Sequence, residues 1–409
     1  LTNVLFTYHW FNIPGLPSKE ESLSNESITE TRQLIQGNNP TIIHLGNGPM
    51  ELFEHLIHSD EEIEIINHQG LDIFLYEPLN TYINGQAFNY DYYSEFKFEE
   101  DPQNIRSSEL DSISLYVSKN RLRNVTIHTC DYQAEKFFPF YDMRIITDDL
   151  FLKDIMSKPF TIQHEIKNFN KKFICTNWRY TKHRHIIAAF ISKMDAHLSW
   201  YFYCPYKLLE ENLYFDLRSW KSQFPEIYEQ IVRGCEYLNE NSPISLDIDG
   251  FISSVVLNSY QCHFPVKKDD FVPDPFSITK DENSLLKFYN DSFCEIINET
   301  RFAQHTGNFS EKLYKSVRLK IPFILVAPPK TLEYFKSFGF KTFGDFWDES
   351  YDQETDHSLR IKKILEVIKY IDSFSKEELK NLYLKMQKIL NYNYLLMYEK
   401  SKRKVNYLK

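Results

Sequence analysis

The stretch FAQHTGNFSEKLYKSVRLKIPFILVAPPKTLEYFKSFGFKTFGDFWDESYD, residues 302–352, decides how the chain reads. It opens with a polar loop over 305–309, and Ser310-Glu311-Lys312 then lead into an amphipathic helix. Residues 322–327 (PFILVA) form a continuous apolar run of the buried-strand type, closed by Pro328-Pro329. A second helix over 330–337 is predicted to stop at Gly339. Loop, helix, apolar strand, turn and helix is the rhythm of a parallel α/β sheet. In such sheets ligands sit at the carboxyl ends of strands, near helix N-termini.

A Ser-Glu-Lys triplet at a helix start has a definite chemistry. The helix end attracts a phosphate, and the lysine adds a full positive charge. The carboxylate beside it suits a group that donates hydrogen bonds, such as a sugar or ribose hydroxyl. The same triplet also reads as an N-cap serine followed by two solvent-facing charges. Spacing leaves both readings open.

At 409 residues the chain is too long for one ordinary core, and two domains are expected. The first, residues 1–165, reads as strands over 3–7, 41–45 (TIIHL), 71–76 (LDIFLY), 125–130 (VTIHTC) and 143–147 (MRIIT). A Gly46-Asn47-Gly48-Pro49 turn leads to a helix over 50–57, a second helix covers 111–119, and residues 82–101 read as an aromatic, acidic insertion. The glycine turn is not a dinucleotide fingerprint, and a tight turn is its ordinary meaning.

The second domain, 172–375, opens with a strand over 172–176 (KFICT), a loop over 177–185 (NWRYTKHRH) and a helix over 186–193. Arg179, Lys182 and Arg184 crowd that loop. Like charges repel, so their clustering makes sense opposite an anion such as a diphosphate, unless two of the three face solvent. A strand over 198–202, a largely helical stretch over 206–241 and an acidic surface segment over 242–275 follow. The strand over 292–298 (SFCEIIN) then runs into Glu299-Thr300-Arg301. Beyond residue 352, apolar residues recur at helical spacing over 358–374. Ser375 with Glu378 forms a capping box that starts a long helix through about residue 404.

Six cysteines without a CxxC pair argue for a reducing cytosol and against a disulfide framework or zinc site. No apolar run approaches the ~20 residues of a membrane span, and no signal-peptide pattern opens the chain. The net charge of −10 argues against a nucleic-acid partner. Residues 360–409 nevertheless carry 13 basic and 5 acidic side chains, so the other 359 residues carry −18. A basic end on an acidic body suits peripheral contact with an anionic membrane face, and it also suits a solvated helix.

Glu299-Thr300-Arg301, Ser310-Glu311-Lys312, Gly339-Phe340-Lys341-Thr342-Phe343 and Asp348-Glu349-Ser350-Tyr351-Asp352, in that order, resemble a group of phage- and bacterium-encoded glycosyltransferase-like proteins. Ser310-Glu311-Lys312 is also similar to the Thr-Glu-Lys step of the α1,3-fucosyltransferases, where those residues help hold the nucleotide sugar. The resemblance covers residues 172–390 and is specific over 299–360. It implies the GT-B fold: two Rossmann-like α/β domains facing a cleft, with the donor bound mainly by the second and a long C-terminal helix, here the basic segment 376–409, that would cross back onto the first domain. The implied partners are a nucleotide sugar, as substrate rather than resident cofactor, and a glycan acceptor. The implied chemistry is transfer of the sugar to a hydroxyl, with no metal. Arg179, Lys182, Arg184 and Lys312 would meet the charge growing on the leaving phosphate, at the helix capped by Ser310. Glu311 would hold a donor hydroxyl.

Inverting transfer would need a carboxylate from the first domain as base. Glu51, Glu77 and Asp131 follow strands or turns, and Glu77 is preferred, with Asp131 next. Asp247-Ile248-Asp249 has the form of a metal-binding DxD but lies in the surface-like segment. Residues 339–352 also read as a structural turn against the sheet. The leading expectation is a cytoplasmic, membrane-peripheral glycosyltransferase of surface polysaccharide, lipopolysaccharide or phage-related glycan. A non-catalytic carbohydrate- or partner-binding protein that keeps the fold is the alternative. A nucleotide-sugar-dependent nucleic-acid-modifying protein is a third, disfavoured by the acidic charge.

Overall fold

The computed structural model describes residues 4–7, 41–44, 58–75, 81–83, 86–87, 105–129, 143–147, 169–177, 181–202, 217–241, 262–265, 282–299, 302 and 309–401. Two separate five-stranded sheets organise them.

The first sheet is built from β1 (Val4–Thr7), β2 (Thr41–His44), helix α1 (Asp60–Gln69) and β3 (Leu71–Leu75). A small antiparallel sheet, β4 (Thr81–Ile83), β5 (Gln86–Ala87) and β6 (Ile105–Ser107), follows. Then come α2 (Ser108–Lys119), β7 (Val125–Thr129) and β8 (Arg144–Thr147). The order β1-β2-β3-β7-β8 is parallel throughout. Strands therefore add in one direction, with no reversal of order among the described strands. Helix α1 was not legible in the sequence. Its first turn, Asp60-Glu61-Glu62, is wholly acidic, which favours the positive helix end, and Ser59 and Glu62 close a capping box ahead of it.

The second sheet begins with β9 (Lys171–Asn177), α3 (Lys182–Ile191), β10 (Ala196–Phe202), α4 (Leu217–Gln223), α5 (Pro225–Asn241) and β11 (Cys262–Pro265). It continues with α6 (Glu282–Asp291), β12 (Ser292–Asn298), α7 (Glu311–Arg318), β13 (Phe323–Val326) and α8 (Thr331–Ser337). A 3₁₀ turn over Ser350–Gln353, α9 (His357–Asp372) and α10 (Lys376–Ser401) complete it. The order is β11-β10-β9-β12-β13, parallel except for the antiparallel edge strand β11. The first strand, β9, lies in the middle. The chain adds β10 and β11 on one side of it, then crosses over and adds β12 and β13 on the other. All of β12 and β13 is buried; β13 accordingly reads as an unbroken apolar run, whereas β12 is apolar except for the buried Ser292, Glu295 and Asn298.

Three sequence expectations change here. Segment 242–275, read as surface, contributes edge strand β11, whose pairing to β10 runs through backbone groups that composition does not reveal. Helix α3 starts at Lys182 rather than at 186, because the polar-looking His183, Arg184 and His185 are buried in its first turns. The helical stretch ending at 241 is two helices, and Pro225 opens the second, where its missing N–H costs nothing. Helix α5 lies so close to α3 that a Cβ on Gly234 would sit 1.8 Å from the Ala189 carbonyl oxygen.

The loops near α8 are structural. Gly339, at φ +91°, ends α8 as expected. Phe335 stacks on Phe340 at 4.4 Å, and Phe323 meets Phe343 edge-on at 5.2 Å. Glu349 accepts from Phe343 N and Thr342 Oγ1, while Asp352 accepts from Leu332 N and Glu333 N at the start of α8. These two carboxylates act as caps. Helix α10 begins at the expected Ser375–Glu378 capping box and buries Leu379, Tyr383, Met386, Leu390 and Met397 in the core of the second sheet. Its packing includes contacts with α7 and β12. Among the described residues, no helix is long and apolar enough to cross a membrane.

Candidate functional site

The reversal of strand order between β9 and β12 leaves a crevice outside their carboxyl ends, because the connections leave in opposite directions there. Two helices that follow these strands, α3 and α7, begin at that end. The side chains gathered there come from both connections.

The strand ends are laced together. Asn298 Nδ2 donates to Asn177 Oδ1 at 2.9 Å and to Cys175 Sγ at 3.3 Å. Burial pushes the Cys175 thiol up to about 12, so it stays protonated. Arg184, 1% exposed, turns inward and donates from Nη2 to the Asn298 carbonyl at 2.9 Å. His183 Nε2 donates to the Glu299 carbonyl at 2.9 Å. Burial, reinforced by Arg184 and Arg360, holds the His183 imidazole neutral, well below its usual range.

Glu299, one residue past β12, is the centre of the site. Ser310 Oγ donates to its Oε1 at 2.6 Å, and Lys312 Nζ lies 3.4 Å from its Oε2. Ser310 also caps α7 by accepting from Lys312 N at 3.2 Å. Lys312 Nζ lies 3.3 Å from Glu311 Oε1 as well. Burial opposes the Lys312 charge, but the two carboxylates outweigh it and hold the ammonium above its ordinary range.

The solvent-facing alternative for the triplet is therefore corrected in part. Ser310 is an N-cap, but Lys312 is buried because α7 is enclosed by the sheet and α10; only Glu311 keeps partial exposure, with its side chain 30% accessible. One turn along α7, Lys315 makes a matching pair with Glu295 at 3.3 Å, completed by hydrogen bonds from Tyr289 and Ser316 to the same carboxylate. Carboxylates four apart, in β12 and just past its end, thus meet lysines three apart on α7.

A further cation closes the rear. Arg360 of α9, 1% exposed, lies 4.1 Å over the Phe302 ring, and donates to the carbonyls of Phe302 and Glu354 at 2.6 and 2.9 Å. Phe302 in turn stacks on His183 at 4.9 Å. Burial brings the Arg360 guanidinium down to about 9, which leaves it cationic at neutral pH.

Of the residues singled out in the sequence, Ser310, Glu311 and Lys312 meet in one cluster, with Arg184 bound to the adjoining end of β12. Lys182 opens α3, and nothing is described of its side chain. Glu51, Glu77, Asp131, Arg179 and Asp247-Ile248-Asp249 lie outside the described residues, as does the Gly46–Pro49 turn. Sequence reasoning missed the roles of Glu299, His183, Asn298 and Arg360. One signal was present: carboxylates at 295, within a largely apolar strand, and at 299, just past its end, call for buried partners.

Two solved structures are similar to this chain. One is an alpha,alpha-trehalose-phosphate synthase (UDP-forming) from Burkholderia vietnamiensis, at TM-score 0.38 and 9% identity over 92% of this chain and 79% of that chain. The other is a UDP-forming alpha,alpha-trehalose-phosphate synthase from Burkholderia xenovorans, at TM-score 0.37 and 9% identity over 93% and 78%. No protein-family model and no curated protein matches the chain.

Proposed function

We propose that the protein is a glycosyltransferase that moves a sugar from a nucleotide-sugar donor to a hydroxyl of a glycan acceptor. The donor diphosphate would lie at the switch point of the second sheet. The observation that carries this reading is the convergence of Lys312, Arg184 and two helix N-termini at the β9–β12 reversal. Helix α3 has Lys182 and Arg184 in its first turn, beside the neutral His183, and no acidic residue there. Cations at the positive end of a helix are an electrostatic misfit, and an anionic ligand resolves it.

In this reading Lys312 and Arg184, with Arg179 and Lys182, stabilise the charge that grows on the leaving phosphate. Glu311 accepts from a donor hydroxyl. Glu77 and Asp131 remain the proposed bases from the first domain. They follow β3 and β7, neighbouring strands that pair with Leu75 opposite Thr129.

The second reading is a non-catalytic binding protein that keeps the fold. One observation favours it: Lys312 is already held by two carboxylates, in the manner of Lys315. Thermal unfolding with GDP, UDP, CMP and their sugars, with and without EDTA, separates the two. A ligand that binds only the folded chain raises Tm. A rise with one nucleotide class, unchanged by EDTA, is expected. Glu311→Gln should reduce the rise for the sugar nucleotide while sparing that for the free nucleotide. No rise with any of them would leave the cluster a structural one.

A further inference from the structure

The outward face of α10 has no role in the site. Leu384, Tyr392 and Leu395 project from it and are 43%, 41% and 59% exposed. At 3.6 residues per turn these positions fall along one side of the helix, and Lys385 and Lys388 lie on the same side. From residue 379 to residue 398 the helix carries three lysines and no acidic residue.

The lysines here differ from those of the neighbouring helix. On α9, Lys362 pairs with Glu366, Lys363 with Glu354 and Lys369 with Glu226, at 2.8 to 3.0 Å. Among the described residues, Lys385 and Lys388 have no carboxylate partner. Lys341, also exposed, adds a charge at one border, with its ammonium 4.4 Å over the Tyr392 ring. The opposite side of α10 is locked into the core, so this face is a rigid platform.

We propose that this face docks on an anionic lipid surface. Leucines flanked by unpaired lysines, with a tyrosine at the border, match the boundary between acyl chains and headgroups. The leucines enter the apolar layer and the ammonium groups reach up to lipid phosphates. A second copy of the chain would set lysine against lysine. A nucleic acid would leave the leucines wet. The remaining acidic body, at −18 outside residues 360–409, is repelled by the same surface, so the charge distribution also orients the molecule.

The test is co-sedimentation of the full chain with vesicles of phosphatidylcholine alone or mixed with phosphatidylglycerol, at low and high salt. Binding is expected only with phosphatidylglycerol, and weaker in high salt. Lys385→Ala/Lys388→Ala should lower partition about tenfold or more. Leu384→Ser/Leu395→Ser should lower it too, which separates the helix face from the basic residues at 402–404. Both variants should keep the wild-type Tm. Equal binding to pure phosphatidylcholine, no binding, or variants that bind as the wild type would overturn the proposal. So would a lipid-free dimer that the leucine variant dissolves, since that assigns the face to a second copy. None of these outcomes depends on sugar transfer.

Discussion

Ser310 donates its hydroxyl proton to Glu299 Oε1 at 2.6 Å, and the same serine oxygen accepts the Lys312 backbone N–H. One hydroxyl thus ties the end of β12 to the start of α7 and sets the carboxylate toward the Lys312 ammonium. A cap and a buried ion pair share an atom, so neither forms properly without the other.

Removing the cation should therefore cost more than removing the hydroxyl. Lys312→Met leaves Glu299 buried beside a serine alone, and a loss of about 3–5 kcal/mol is expected. Ser310→Ala should lose about 2 kcal/mol, from the cap and one charge-assisted hydrogen bond. Glu299→Gln/Lys312→Met should be less damaged than Lys312→Met by more than about 1 kcal/mol, because no uncompensated charge remains. Urea unfolding of these proteins, with Glu299→Gln alone to complete the cycle, checks this, and strict additivity of Glu299→Gln and Lys312→Met would refute the coupling of the buried pair.

Acid should weaken the His183 contact. The folded imidazole is held neutral by burial with Arg184 and Arg360 nearby, whereas the unfolded one takes up a proton near 6.5. Stability from this group is present above that value and lost as the pH falls below it. His183→Gln keeps an N–H for the Glu299 carbonyl but does not titrate. The wild type should lose more stability than this variant between pH 7.5 and pH 5, as read from urea midpoints.

Asp352 works in the opposite sense. Burial raises its carboxyl to about 6 from an ordinary 3.8, against the pull of two backbone N–H groups. Between those values the folded chain holds a proton that the unfolded chain has shed, so stability from this group falls as pH rises from 3.8 to about 6. Relative to non-titrating Asp352→Asn, the wild type should lose about 3 kcal/mol over that window. A constant difference between the two proteins would show that the cap is ionised throughout.

Gly234→Ala should destabilise the second unit although alanine is the better helix former. The new methyl would lie 1.8 Å from the Ala189 oxygen, so α5 must move off α3. A loss of about 3 kcal/mol is expected, and a thermal melt at wild-type Tm would refute the close approach.

Much of the frame was legible from local pattern. Apolar runs located β3, β7, β9, β12 and β13 to within a residue or two, since strands of a covered parallel sheet are mostly apolar even where one polar side chain, such as Glu295 in β12, is buried with a partner. Caps located the ends of helices: Ser310 for α7, Gly339 for α8, and Ser375 with Glu378 for α10. Strand β11 stayed hidden because an edge strand pairs through its backbone. Helix α3 was placed four residues short because buried histidines look like loop residues in a hydropathy reading.

The sequence alone therefore determined the α/β alternation, the basic C-terminal stretch and the Ser-Glu-Lys helix start, all of which depend on residues near one another in the chain. Only the tertiary structure decided the strand order, and with it the reversal between β9 and β12. It also decided that Glu299 meets Lys312 across 13 residues and that Arg360 reaches Phe302 across 58. A buried charge takes whatever partner the packing brings within hydrogen-bond reach, and that choice is made by the crossover of the chain, which no local pattern encodes.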